Sequence, residues 1–147
     1  MRIVENQKIE YPYSAEPRED GTVLVQFIDF EEAFTEGHTL EEAAFNAAEV
    51  LSAIIGYRID KGEILPIPTV TAGEHILYAA PSPAIQSAVL LQHARGQQKK
   101  TMADLARALG TSWPCAARLE DPKYRPTLRQ LDRAAAVLGK RLVLCLE

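Results

Sequence analysis

The residues best equipped for chemistry in this 147-residue chain are carboxylates. Asp29, Glu31, Glu32, Glu36 and Asp60 are numerous enough to suggest a two-metal centre for phosphodiester hydrolysis. Their spacing argues against one. Glu31 and Glu32 are neighbours in an expected strand or turn, so their side chains point different ways, and no separated acidic quartet falls at strand ends. A solvated acidic face accounts for these residues more simply. Cys115 and Cys145 stand far apart in unrelated contexts, and His38, His75 and His93 are equally scattered, which points to neither a disulfide framework nor a metal site. No serine or cysteine lies in a nucleophile motif. The chain reads as non-enzymatic, with no cofactor and no metal.

Charge separates the chain into two halves. Residues 1–81 carry 5 Lys+Arg against 15 Asp+Glu, a balance of −10, whereas residues 82–147 carry 11 against 5, a balance of +6. A basic domain attracts polyanions because each neutralised phosphate releases condensed counterions, and an acidic one suits a basic protein; the plainer alternative is that both are solvated faces. No segment approaches the run of about eighteen apolar residues that a membrane span needs. The opening MRIVENQKIEY lacks the apolar core of a secretion signal. These features predict a soluble, cytoplasmic protein with domains 1–81 and 82–147.

In the acidic half, IEYPYSA at 9–15 alternates weakly, and Pro12 confines it to an edge strand or a strand's start. Asp20-Gly21 is a hairpin signal leading into the strand-dense TVLVQFIDF. EEAFTEG at 31–37 supplies a short third strand and HILYA at 75–79 a fourth. Thr39-Leu40-Glu41-Glu42 has the capping-box pattern, with Glu42 able to reach back to the cap. Beyond it, Leu40, Ala43, Ala44, Ala47, Leu51, Ile54 and Ile55 form one stripe, predicting a helix from 40 to about 61 that stops at Gly62. The expected architecture is α+β: a three- to four-stranded antiparallel sheet covered by one long helix. Pro66, Pro68, Gly73, Pro81 and Pro83 mark the following stretch as non-helical.

The basic half predicts four helices. Ser82-Pro83 opens the first, with Ile85, Val89, Leu90 and His93 inward and Gly96 at its end. Thr101 caps a second that closes at Gly110, a third begins near Ser112, and a fourth over 127–138 buries Leu128, Leu131, Ala134, Ala135 and Leu138. Helices of about eight residues do not persist alone in water, so the pair in TMADLARALGTSWPCAARLE must be held by packing. Leu105, Ala106, Leu109 and Leu119 turned inward around Gly110 give a helix-turn-helix or a generic four-helix core. RLVLCL at 141–146 reads as a closing β-strand with Leu142, Leu144 and Leu146 on one face and Val143 and Cys145 on the other. Both faces are apolar, which suggests pairing with the same strand of a second subunit; the alternative is pairing within its own chain.

The full pattern, ADLARALGTS, then RLE, then PTLRQLDRAAAVLG, resembles the helix-turn-helix of the Cro/repressor (XRE) family over residues 101–139. That resemblance implies binding of duplex operator DNA, with 112–120 as recognition helix. Ser112, Trp113, Pro114, Ala117 and Arg118 match its outward positions, and Thr101, Lys100, Lys123 and Arg125 match backbone-contacting ones. Trp113 and Pro114 replace the polar readers usual at the front of that helix, leaving Arg118 as the bidentate donor for guanine. Trp113 either wedges against a thymine methyl or sugar or packs into its own domain.

The acidic half is similar to HicB-type antitoxins in EDGTVLVQFIDF, TEGHTLEEAAFNAAEVL and ILPIPT; it departs from them in IDFEEAFTEG, where a Pro- and Gly-containing turn is usual. The resemblance implies a degenerate ribonuclease-H-like fold that neutralises a small basic HicA-like ribonuclease toxin. Asp29, Glu31, Glu32 and Phe34 are the expected toxin contacts. That family also commonly ends in a helix-turn-helix or ribbon-helix-helix DNA-binding domain, so the leading expectation is an antitoxin that also represses its own operon, acting with the tail pairing as a homodimer or higher homo-oligomer on paired half-sites. Two other readings stay open: an XRE-type repressor whose first domain senses a ligand or oligomerises, and a nuclease fused to a DNA-targeting domain.

Overall fold

The computed structural model describes residues 8–147, which form two compact units, one ending at Ser82 and one beginning at Pro83. In the first, β1 (Tyr11–Pro17), β2 (Val23–Phe27), β3 (Phe34–Gly37) and β4 (Ile76–Ala79) build an antiparallel four-stranded sheet in the order β3-β2-β1-β4. Asp20-Gly21 turns β1 into β2 as expected: Gly21 takes φ 86°, and the Asp20 carboxylate accepts the Thr22 N–H at 2.9 Å. Pairing Tyr13 with Phe27 and Ala15 with Val25 puts these four side chains on one buried face, where the Tyr13 and Phe27 rings lie 5.4 Å apart. Of the two places open to Pro12, the strand's start is the one observed. β1 is internal to the sheet, and Pro12 precedes the ladder to β2, which opens at Tyr13.

Helix α1 (Leu40–Asp60) covers the sheet. The Glu42 N–H donates to the Thr39 hydroxyl at 3.0 Å, giving the first half of the expected cap. The buried stripe is narrower than the sequence suggests. It consists of every fourth residue, Ala43, Ala47, Leu51 and Ile55, while Leu40 and Ala44 are exposed and Ile54 half-buried. The helix ends as expected, with Lys61 as cap and Gly62 at φ 68°.

The second unit is built from α2 (Pro83–Gln97), α3 (Met102–Leu109), α4 (Trp113–Arg118), a 3-10 turn (Pro122–Tyr124) and α5 (Leu128–Val137). Leu91, Ala94, Leu105, Ala106, Ala116, Leu119, Leu131, Ala134 and Leu138 form its core. Thr101 with Asp104 and Thr127 with Gln130 make complete capping boxes, and Gly110 reverses the chain after α3 at φ 67°.

Three expectations fail here. α2 runs through Gly96, and the reversal falls instead on Lys99 at φ 53°, whose N–H donates to the Gly96 carbonyl at 3.0 Å. Ala88, Leu91 and Ala94 join Ile85 and Val89 as its buried residues, leaving Leu90 and His93 half-buried; Leu128, in the first turn of α5, is exposed. Finally, RLVLCL forms no strand. Every regular element of this unit is helical, so residues 141–146 meet no ladder within it. Leu142 packs on the core, while Val143, Leu144 and Leu146 are exposed.

Candidate functional site

The acidic candidates lie on or beside the loop joining β2 to β3. The Gln26 side-chain amide shapes this loop, with Nε2 within 3.0 Å of the Phe27 carbonyl and 3.2 Å of those of Phe30 and Glu31. Phe30 and Ala33 are driven inward to complete exposure loss, which turns the polar residues between them outward. This is how IDFEEAF closes without the Pro-Gly turn.

The four candidates then separate. Asp29 is committed to the fold: Oδ2 accepts the Thr69 N–H at 3.0 Å and Oδ1 the Thr69 hydroxyl at 2.5 Å. Glu32 is held by Arg58, whose Nε and Nη2 donate to Oε1 at 3.0 and 2.5 Å, and the same guanidinium lies 4.9 Å over the Phe30 ring. That hydrogen bonding holds the Glu32 carboxyl below the usual carboxylate range. Glu31 is exposed beside them. Phe34 is 60% exposed at the head of β3, an edge strand of the sheet. Geometry therefore leaves Glu31 and Phe34 available to a partner and makes Asp29 and Glu32 organisers of the surface.

Sequence reasoning overlooked the segment that Asp29 holds. Residues 63–74 were legible only as non-helical, yet three contacts fix them: Asp29 with Thr69, the Tyr11 hydroxyl donating to the Pro66 carbonyl at 2.8 Å, and the Tyr78 hydroxyl donating to the Thr71 carbonyl at 2.8 Å. The signal was present in the ILPIPT proline pair, which preorganises an extended backbone.

In the basic unit the candidates come together around α4. Ser112 caps the helix, its side chain accepting the Cys115 N–H at 3.3 Å, and Pro114 occupies the first turn. Ala116 and Leu119 are buried, Ala117 is half-buried, and Ser112, Pro114 and Arg118 are exposed. Trp113 is 57% exposed and so lies outside the core of its own unit. Arg118 is positioned by a residue the sequence reading missed: its guanidinium carbon lies 5.1 Å from the centre of the Tyr124 ring. Lys123 and Arg125 are exposed on the turn following α4, Arg125 at φ 43°.

The remaining two have structural duties. The Thr101 hydroxyl accepts the Asp104 N–H at 3.1 Å while the Thr101 N–H donates to Asp104 at 2.9 Å, and these bonds keep the Asp104 carboxyl below its ordinary range. Lys100 Nζ donates to the Val137 carbonyl at 3.2 Å, at the end of α5. Its ammonium is thus partly spent on the helix terminus.

Among the described residues, no helix is long and apolar enough to cross a membrane. Residues 10–82 match the family described as the HicB_like antitoxin of bacterial toxin–antitoxin systems. The chain is 30% identical over 137 residues to Antitoxin HicB of Escherichia coli, covering 92% of this chain and 98% of that protein. It is 28% identical over 145 residues to Antitoxin HicB 1 of Photorhabdus laumondii, covering 99% and 90%. A crystal structure of the N-terminal domain of the Burkholderia pseudomallei antitoxin HicB matches with a TM-score of 0.45 at 18% identity, over 50% of this chain and 99% of that one. The near end-to-end match to curated relatives, with the family pattern lying over the acidic sheet-and-helix unit, places this chain in the HicB family of antitoxins of bacterial toxin–antitoxin systems.

Proposed function

We propose that the chain neutralises a small basic HicA-like ribonuclease toxin through its acidic unit and represses its own operon through its basic unit. The observation that carries the DNA-binding half is the disposition of α4. Ala116 and Leu119 anchor it while Ser112, Trp113, Pro114 and Arg118 remain exposed, on a unit with a formal balance of +6. In this reading α3 and α4 are an XRE-type helix-turn-helix, α4 enters the major groove, and Lys123, Arg125 and the capped start of α3 at Thr101 meet phosphates. Two copies read paired half-sites as a homodimer in the cytoplasm.

The acidic unit acts as a degenerate ribonuclease-H-like fold that binds and does not cut. Asp29 and Glu32 are engaged by Thr69 and Arg58, which supports positioning duties for both carboxylates. A balance of −10 over residues 1–81 suits a surface evolved to hold RNA, and complementarity of this kind speeds encounter and selects partners.

Two measurements test the reading. In a mobility-shift titration on its upstream DNA, Arg118→Ala should relax sequence preference, whereas Lys123→Ala should weaken all sequences alike. Co-expression with the basic protein of the neighbouring reading frame should relieve growth arrest. Arrest that persists beside soluble antitoxin would instead leave a repressor whose first unit senses a ligand.

A further inference from the structure

Among the described residues, the segment from Ile64 to Val70 carries the most exposed large apolar side chains of the acidic unit. Ile64 is 93% exposed, Ile67 89% and Val70 95%. They recur every third residue; of the residues between them Leu65, Pro66 and Pro68 are half-buried against the unit and Thr69 is exposed. Period three is the repeat of an extended polyproline-type backbone, which sets such residues on one side. Pro66 and Pro68 restrict their own φ and bias the residues before them to extended conformations.

This is not a loose loop with incidental apolar residues. Asp29 grips both the N–H and hydroxyl of Thr69, Tyr11 holds the Pro66 carbonyl, and Tyr78 holds Thr71. The backbone is therefore tied down at three points while its aliphatic side chains are offered to solvent. A surface that is already ordered loses little conformational entropy on binding. Residues 63–74 contain Glu63 and Glu74 and no Lys or Arg, with the Glu63 carboxylate 3.9 Å from Arg58 Nε.

We propose that Ile64, Ile67 and Val70 form a preformed ridge onto which the basic toxin docks, seating an apolar groove rimmed by Lys and Arg over the ridge and its flanking carboxylates. The inference rests on the antitoxin reading and deepens it by naming the contact. Charge complementarity selects this occupant: a ridge bounded by Glu63 and Glu74 on a unit with a balance of −10 repels a second copy of itself and attracts a cationic rim. The ridge supplies the desolvated apolar centre and the carboxylates the polar border of a small interface.

The test uses the full chain and the purified basic protein of the neighbouring frame, with affinity measured by calorimetry. The triple variant Ile64→Ser/Ile67→Ser/Val70→Ser should bind at least about 100-fold more weakly, with a melting temperature within about 2 °C of the unaltered chain because the three side chains are exposed. Ile67→Lys should weaken binding more than Ile67→Glu, since only lysine opposes a basic rim. Triple-variant binding within threefold of the unaltered chain overturns the ridge while leaving the antitoxin reading intact. A triple variant that binds normally but loses self-association in light scattering also overturns it, making the ridge a seam between copies. An unaltered chain that binds no basic partner overturns both.

Discussion

Arg95 and Glu120 meet fork to fork across the basic unit. Arg95 Nε lies 2.8 Å from Glu120 Oε2 and Nη2 3.0 Å from Oε1, while Nη1 donates to the Lys100 carbonyl at 3.0 Å. The Glu120 side chain is only 9% exposed and that of Arg95 22%. One guanidinium thus ties α2 to the turn behind α4 and to the entry of α3. α4 is six residues long and cannot persist by its own hydrogen bonds, so its orientation depends on such anchors.

Removing one partner of this pair leaves the other charge half-buried and without its counter-ion. Glu120→Ala should destabilise the basic unit by about 3 kcal/mol, read as a shift of its denaturant midpoint. Glu120→Gln keeps one acceptor and should cost less. A loss below about 0.5 kcal/mol for the alanine variant would place the pair among ordinary surface bridges.

The acidic unit should be sensitive to alkali through Tyr11. Burial, reinforced by the Asp29 charge, raises the Tyr11 phenol to about 12. Ionisation is therefore harder in the folded chain than in the unfolded one, whose phenol titrates near 10. The stabilisation is complete below pH 10 and is lost as pH rises from about 10 to about 12. Unfolding free energies at pH 9 and pH 11.5 should differ by less in Tyr11→Phe than in the unaltered chain, by an amount on the order of 2 kcal/mol. Equal pH dependence in the two proteins would remove Tyr11 as the cause.

Two glycines should respond oppositely to alanine. A Cβ on Gly37 would lie 2.5 Å from the Ala43 nitrogen and 2.8 Å from its Cα, backbone atoms of the first turn of α1 that cannot step aside. Gly37→Ala should destabilise the acidic unit by about 1–3 kcal/mol. At Gly96 a Cβ meets nothing within 4 Å, and the residue lies inside α2. Gly96→Ala should stabilise the basic unit by about 0.5–1 kcal/mol. The pair of signs is checked by thermal melts that follow each unit.

Gly96 also illustrates what the sequence could and could not disclose. Local chemistry was legible wherever it decided the outcome: the Asp20-Gly21 turn, the Thr39, Thr101 and Ser112 caps, and Gly110 beyond α3 all stand where their side chains or backbone freedom put them. Gly96 and Lys99 exchanged the expected role because a glycine is tolerated inside a helix and the reversal was set by tertiary packing. The candidate sites divide in the same way. The exposure of Arg118 on α4 follows from helix periodicity, with Ala116 and Leu119 turned inward, but its stacking on Tyr124 depends on the turn between them. Asp29 looked like a partner contact because nothing local announces a residue forty positions away; only the folded chain brings Thr69 to it.

The tail is where an apolar sequence most needs an explanation. Within the basic unit Leu142 is satisfied by the core, but Val143, Leu144 and Leu146 are exposed, and no ladder pairs residues 141–146. A second copy offers the same segment with the same deficit. Pairing the two tails would satisfy the backbone groups, cover the leucines and relate two α4 helices by one two-fold axis, as paired half-sites require. Deleting the whole tail would also remove Leu142 from the core and confuse assembly with stability. Leu144→Ser/Leu146→Ser avoids this by leaving Leu142 in place. The expected outcome is a chain of unchanged melting temperature that scatters light as a monomer at concentrations where the unaltered chain is a dimer. Its affinity for a full operator should fall by tenfold or more, with affinity for a single half-site unchanged. A variant that stays dimeric and binds the full operator as before would put the contact between subunits elsewhere.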